Sequence, residues 1–267
     1  MLSTLRTRSA SVTTLTIIDS VTGRSAVVTS NHPAFDIVSD MAARGCDLEH
    51  EIIPAIRDSA RALAGAVLSD NVTIDDGVLR WHGHAIDTAL SRHIVRLFAT
   101  GDPTYASAVA FMERLSANPS QSARVSAWTW LEANDFTLTP DGMIVGYKGI
   151  ADDGASVSSG TQVVRVDGVE HTGRIPNPVG ALIEMDRIDV DANRNNTCSN
   201  GLHVGTYSYA SRFGAVLVRV QVDPCDIVEV PRDQGGRKMR VCRYRVIEVR
   251  DDEITEPVWS PPSHRRP

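Results

Sequence analysis

The sequence predicts an α+β protein: a mainly helical N-terminal domain followed by a mainly antiparallel β-sheet C-terminal domain. Two observations carry this reading. Between residues 48 and 131 apolar side chains recur at three- and four-residue steps, and after residue 135 the period falls to two. Asp-Gly turns between alternating runs then mark hairpins, which make neighbouring strands antiparallel. With 267 residues, 42% of them hydrophobic, there is enough material for two cores.

Taken in order, residues 1–12 are rich in Ser, Thr and Arg and read as a loose terminus. The helical domain, with small hairpins, is expected over 13–134. Leu15 to Asp19 and Arg24 to Thr29 can pair around Thr22-Gly23. Pro33 and Gly45 bracket a short helix, and Ile52, Ile56, Ala60, Leu63 and Val67 mark a longer one from about Leu48 to Leu68. Asp76-Gly77 joins Asn71–Ile74 to Val78–Trp81 as a hairpin. Three helices follow and read as a small bundle: one capped by Asp87, one opened by Asp102-Pro103, and one opened by Asn118-Pro119. Trp128 and Trp130 fit the core and rim of the last.

The β-rich domain is expected over 135–250. It starts with a hairpin around Pro140-Asp141-Gly142, and residues 151–178 read as short strands with a long mobile loop. Val216 to Val222 alternates cleanly, Pro224 and Pro231 bracket another strand, and Met239 to Val249 reads as one long final strand. Residues 251–267, proline- and arginine-rich, read as a disordered tail.

A net charge of −6 argues against a protein whose task is to neutralise phosphates along a duplex, so no specific nucleic acid is expected as partner. Four widely spaced cysteines form neither a zinc ribbon nor a disulfide framework. No cofactor is expected. Neither a signal-peptide core nor a run of about 18 apolar residues is present, so the expected location is the cytoplasm. Only Lys148 and Lys238 are lysine among 27 basic residues, a bias that codon usage explains by itself.

Chemistry-bearing side chains crowd into residues 196–210, Asn-Thr-Cys-Ser-Asn-Gly-Leu-His-Val-Gly-Thr-Tyr-Ser-Tyr-Ala. Cys198 and His203 are candidates for a nucleophile and its base, although five residues apart they meet only if Ser199-Asn200-Gly201 turns the chain. A metal needs three or four ligands in fixed geometry, and this spacing matches no standard module. Both residues also suit a purely structural role, as a small buried thiol and a hydrogen-bonded imidazole. The remaining reading is a pocket for a small anion, with Tyr147, Lys148, His203, Tyr207, Arg212 and Arg240 as its residues.

The run Thr197 to Val204, then Tyr209, Phe213-Gly214, Val220 to Pro224, Asp226 to Val228 and Lys238 to Tyr244, resembles the rIIB rapid-lysis proteins of T-even bacteriophages. Ala117 to Gln121, Leu131 to Asp135 and Asp141-Gly142 extend the resemblance, which covers roughly residues 70 to 250. It implies an early phage accessory protein of the host cytoplasm that acts with a rIIA-like partner. Such a protein modulates lysis timing (lysis inhibition) or counters a host or prophage exclusion system, without established enzymatic activity. A second copy of the chain and the inner face of the host membrane are further expected contacts. The other reading is an anti-defence protein that sequesters or hydrolyses a nucleotide signal at the Cys198–His203 motif. Two departures stand out: residues 1–70 lack the family's amino-terminal helix-turn-helix pattern, and Gly205 replaces a second cysteine after the His-Val pair.

Overall fold

The computed structural model describes residues 2–9, 12–30, 32, 34–62, 65–133, 137–232 and 236–261. The chain divides into two compact units, Met1–Val109 and Ala110–Pro267.

In the first unit, β1 (Leu2–Ser9), β2 (Val12–Asp19) and β3 (Ser25–Thr29) form an antiparallel sheet in that order. The stretch expected to be loose is therefore a strand, paired residue for residue from Leu2↔Asp19 to Ser9↔Val12. Its polar composition hid it, because an exposed edge strand is held by backbone pairing and needs little apolar burial. Leu15, Ile17 and Val28 of this sheet pack with Val38 of α1 (Phe35–Ala43) and with Leu48 and Ile52. Pro33, expected in the first turn of that helix, lies outside the described residues.

The long helix expected from Leu48 is shorter and composite. A π-helical turn, Leu48–Ile52, is capped by the Asp47 carboxylate and runs into α2 (Ile53–Ala62). Leu63 lies outside the described residues, and β4 (Ala66–Val67) already belongs to a second sheet with β5 (Val72–Asp75), β6 (Val78–Trp81) and β7 (His84–Ala85). The β5–β6 hairpin is as expected, with Asp76 and Gly77 both at positive φ. For α3 (Ala89–Ala99) the cap is Thr88 in a reciprocal box with Ser91, while Asp87 contacts Arg92. Seven strands in two sheets among the described residues thus correct the expectation of a mainly helical amino-terminal part. The α+β class itself holds. The supposed bundle is also differently used: α3 packs on β6 and α2, α4 (Tyr105–Ser116) spans the division, and α5 (Gln121–Ala133) lies on a strand of the second unit.

That unit is a nine-stranded antiparallel sheet. In chain order its strands are β8 (Ile144–Ile150), β9 (Gly160–Val166), β10 (Val169–Gly173), β11 (Leu182–Met185), β12 (Leu202–Gly205), β13 (Val216–Val222), β14 (Ile227–Glu229), β15 (Lys238–Val241) and β16 (Arg243–Val249). A four-residue helix, α6 (Tyr207–Ala210), follows β12. Across the sheet the order is β10-β9-β11-β16-β13-β8-β12-β15-β14. The expected single strand Met239 to Val249 is consequently two strands, four places apart in the sheet. Four spacings come to about 19 Å in a flat sheet. Only Cys242 separates β15 from β16, and two peptide steps reach about 7 Å. The sheet must therefore curl until β14 and β15 approach β11 and β16. Met185 N–H donates to Cys242 O (2.8 Å) and Cys242 N–H to Asp226 O (3.0 Å) along that seam. Asn118 pins α5 there: it is fully buried, and its amide donates to the carbonyls of Pro224 (2.8 Å) and Ile227 (2.7 Å).

The curled sheet has an apolar inner face. Val218, Val220 and Val222 of β13, Ile144 of β8 and Val246 of β16 are completely buried on it. Within 151–178 the expected short strands are present as a hairpin, Gly160–Gly173, whose Asp167-Gly168 turn the flanking Gly and Ser residues masked. The expectation of a disordered tail is corrected. Pro257 to Trp259 is ordered against Leu138, whose N–H donates to Pro257 O and whose carbonyl accepts from Trp259 N–H (2.9 Å each). Residues 262–267 lie outside the described residues.

Candidate functional site: a lysine-lined cavity

The inner face carries one cation where its neighbours are aliphatic. Lys148 sits on β8 directly opposite Val218 of β13, and paired residues project to the same side of a sheet. Its Nζ donates to the His203 carbonyl of β12 (3.2 Å) and stands 5.6 Å from the centre of the Tyr244 ring. Among the described residues no carboxylate pairs with it. Burial alone pushes its pKa down to about 8, since the charged form loses solvation and no described carboxylate offsets the loss.

Around Lys148 lies a cavity of about 370 Å³, within the size range of small-ligand sites. Lys238 also lines it, nine-tenths buried or more, with Nζ donating to Thr197 O (2.6 Å). Both lysines of the chain border this cavity, Lys238 from the Tyr147 side of the sheet because Gly205 pairs with both, and no aspartate or glutamate stands among the described residues that line it. The 158–160 and 199–201 turns add hydroxyls and backbone groups, while Tyr209, Phe213 and Tyr244 add aromatic walls. The Tyr244 phenol donates to Asn177 Oδ1 and burial raises its pKa, so it remains a neutral wall.

The sequence-derived candidates separate. Tyr147, Lys148, Cys198 and His203 line the cavity. Tyr147 is largely committed elsewhere: its hydroxyl accepts from Ile254 N–H (2.7 Å), its ring meets that of Tyr207, and burial raises its pKa. Tyr207 lies outside the lining and donates to Asp251 O (2.6 Å). Arg212 is exposed and also outside it. Arg240 is completely buried, yet it faces the motif's own backbone: it donates to Asn193 O (2.6 Å) and Asn196 O (3.3 Å), with Asp191 at 3.4 Å. Lys238, Tyr209 and Tyr244 were not singled out from sequence. For Lys238 the signal was present, since a chain that otherwise uses arginine kept lysine there.

Arg240 and Asp191 together shape the motif. Hydrogen bonds from Ser199 first, then from Asn196 and the Asn193 N–H, with a smaller contribution from Arg240, bring the Asp191 pKa down to about 2. Gly201 lets the chain pass over this scaffold. Its φ is 145°, and an added Cβ would lie 2.9 Å from Val190 Cγ1 and 3.3 Å from Arg240 Cγ and Cδ. Gly201→Ala should lower stability by about 1–3 kcal/mol through strain and overpacking, read as a fall in the urea midpoint at unchanged m-value. An unchanged midpoint would show that the turn relaxes freely.

All four cysteines are free. Burial, with nearby Asp226, pushes Cys242 to about 11 and Cys225 to about 12, which leaves both as inert thiols. Cys198 is exposed at the cavity. Among the described residues no group of three or more His, Cys, Asp or Glu is placed to hold a metal, and no helix is long and apolar enough to cross a membrane.

Fold and site together define an α+β protein whose curled antiparallel sheet borders a cationic cavity, lined by no acid among the described residues. The family model of bacteriophage T4 protein rIIB matches residues 12–258, and the chain belongs to that family. Protein rIIB of Enterobacteria phage T4 is 32% identical over 193 residues, which cover 71% of this chain and 56% of that protein. The chain thus spans a little over half the length of this relative. No solved structure matches. At the departure noted above, a Cβ on Gly205 would lie 2.5 Å from Tyr209 Cδ1 and 3.0 Å from Arg237 O, so a cysteine does not fit there without moving Tyr209.

Proposed function

We propose that this chain is a phage accessory protein that influences lysis timing or counters an exclusion system in the infected cell, together with a rIIA-like partner. Membership of the rIIB family supports that part. Its β-rich unit contributes by binding a small anion in the Lys148 cavity, as a binding module and not as a catalyst. One observation carries this second part: a largely desolvated ammonium with no carboxylate partner among the described residues borders, with the chain's other lysine, a cavity that no described acid lines. An unpaired buried charge costs stability. An anion placed beside Lys148 would remove that cost, and the energy recovered would appear as affinity.

Calorimetric titration of the full chain with inorganic phosphate, pyrophosphate and adenosine monophosphate, in chloride-matched buffer, tests this. Saturable binding is expected with at least one of them, weakening about tenfold per pH unit above about 8, because binding needs the protonated amine and the free protein loses that proton near 8. Absence of heat and of any thermal shift with all three anions would overturn the anion site. Native mass spectrometry of tagged protein from infected cells tests the partner: a second phage protein at fixed stoichiometry is expected, and its absence would remove the partner from the reading.

A further inference from the structure

Arginine supplies every cation of this chain except two, and those two lysines line the same cavity. For holding an anion by charge and hydrogen bonds, arginine serves at least as well, with five donors in a planar fork. What lysine adds is a proton it can lose and a nitrogen lone pair that can then attack carbon. Lys148 is placed for that chemistry. Its Nζ is desolvated inside the sheet, no described carboxylate holds it in the charged form, and it faces an open volume. Lys238 lies in the same lining with the hydroxyls of Ser158 and Ser159, a second cationic and hydrogen-bonding region for an anionic group.

We propose that Lys148 captures a carbonyl-bearing anion, an aldehyde or keto acid or its phosphate ester, as a reversible imine, while Lys238 and the serine hydroxyls hold the anionic group. This rests on the cavity being an anion site. In the step, neutral Lys148 Nζ attacks the carbonyl carbon and a carbinolamine forms. The nitrogen's two protons and the former carbonyl oxygen then depart as water, leaving a C=N bond. No oxidant or reductant is consumed, and hydrolysis returns the ligand. Lys148 is suited to the task near neutral pH: with a pKa of about 8, about half of its amine is neutral at pH 8, against less than about 1% of an ordinary lysine.

The test is reductive trapping of the full chain with glyoxylate and cyanoborohydride at pH 8, read by intact mass and peptide mapping. Because the sequence holds only two lysines, the background is confined to Lys238 and the terminal amine. Carboxymethylation is expected at Lys148 at a rate comparable to that of the terminal amine, which also loses its proton near pH 8, and about tenfold faster than at an ordinary lysine. It should be slowed by inorganic phosphate, and propionaldehyde, which lacks the anionic group, should react more slowly. Lys148→Arg should lose the adduct, whereas Arg212→Ala, exposed and outside the lining, should keep its thermal transition, its phosphate binding and the adduct at Lys148. Equal rates at Lys148 and Lys238, or modification confined to Lys238 and the terminal amine, would overturn the proposal. Phosphate binding without trapping would overturn the imine and leave the anion site standing, whereas loss of phosphate binding in the unmodified chain would remove the site itself.

Discussion

Lys148→Met should make the ligand-free protein more stable at pH 7 while abolishing its anion binding. The position is a core position in all but its charge: it sits opposite Val218, and Val218, Val220 and Ile144 on the same face are completely buried. Methionine matches the lysine stem in length and adapts to irregular space. The shift from 10.5 to about 8 corresponds to at most about 3 kcal/mol, and the side chain's opening onto the cavity discounts this to about 1–3 kcal/mol. The sign follows from proton binding. Between pH 8 and 10.5 the unfolded chain holds the Lys148 proton and the folded chain does not, so wild-type stability rises with pH across that window. Below pH 8 both states carry the proton and the folded state bears the full penalty. The advantage of the variant should accordingly be largest below pH 8 and vanish towards 10.5. Urea titrations of both proteins at pH 7 and pH 10 measure this, and a variant less stable than wild type at pH 7 would contradict it. Saturating phosphate should close the gap from the wild-type side by mass action.

Arg240→Met should do the opposite, costing about 3–5 kcal/mol and loosening residues 191–200. The guanidinium is completely buried and serves the carbonyls of Asn193 and Asn196, with the Asp191 carboxylate at 3.4 Å. Methionine fills the volume but leaves those acceptors without their donor. Because the loop carries Cys198, Ser199 and Asn200 into the cavity lining, phosphate affinity should fall together with stability. Arg212→Ala is the comparison: exposed and outside the lining, it should stay within about 0.5 kcal/mol of wild type and bind phosphate normally. A stable Arg240→Met variant with normal affinity would show that the loop is held by Asp191's other hydrogen bonds alone. Amide hydrogen exchange over residues 191–200 separates these outcomes.

What the sequence by itself determined is local. Asp-Gly pairs placed hairpins at 76–77 and 141–142, apolar periodicity placed α3, α4 and α5, and the alternation in 216–222 placed a strand with a buried face. These signals work because turn chemistry and side-chain period depend on neighbours in the chain. Crowding of polar side chains also drew attention to residues 196–210, of which 198–203, 205, 209 and 210 border the cavity, as does Lys148. Long-range pairing was invisible. β1 is a strand only because β2 lies beside it, and Lys238 to Val249 is two strands only because the sheet curls and claims each half at a different place. For the same reason sequence treated Arg240, Arg212 and Lys148 alike, as cations near one motif. Whether a cation faces a loop, the solvent or a cavity is set by which strand lies opposite it, and that register is a property of the closed sheet, not of the residues flanking each arginine or lysine.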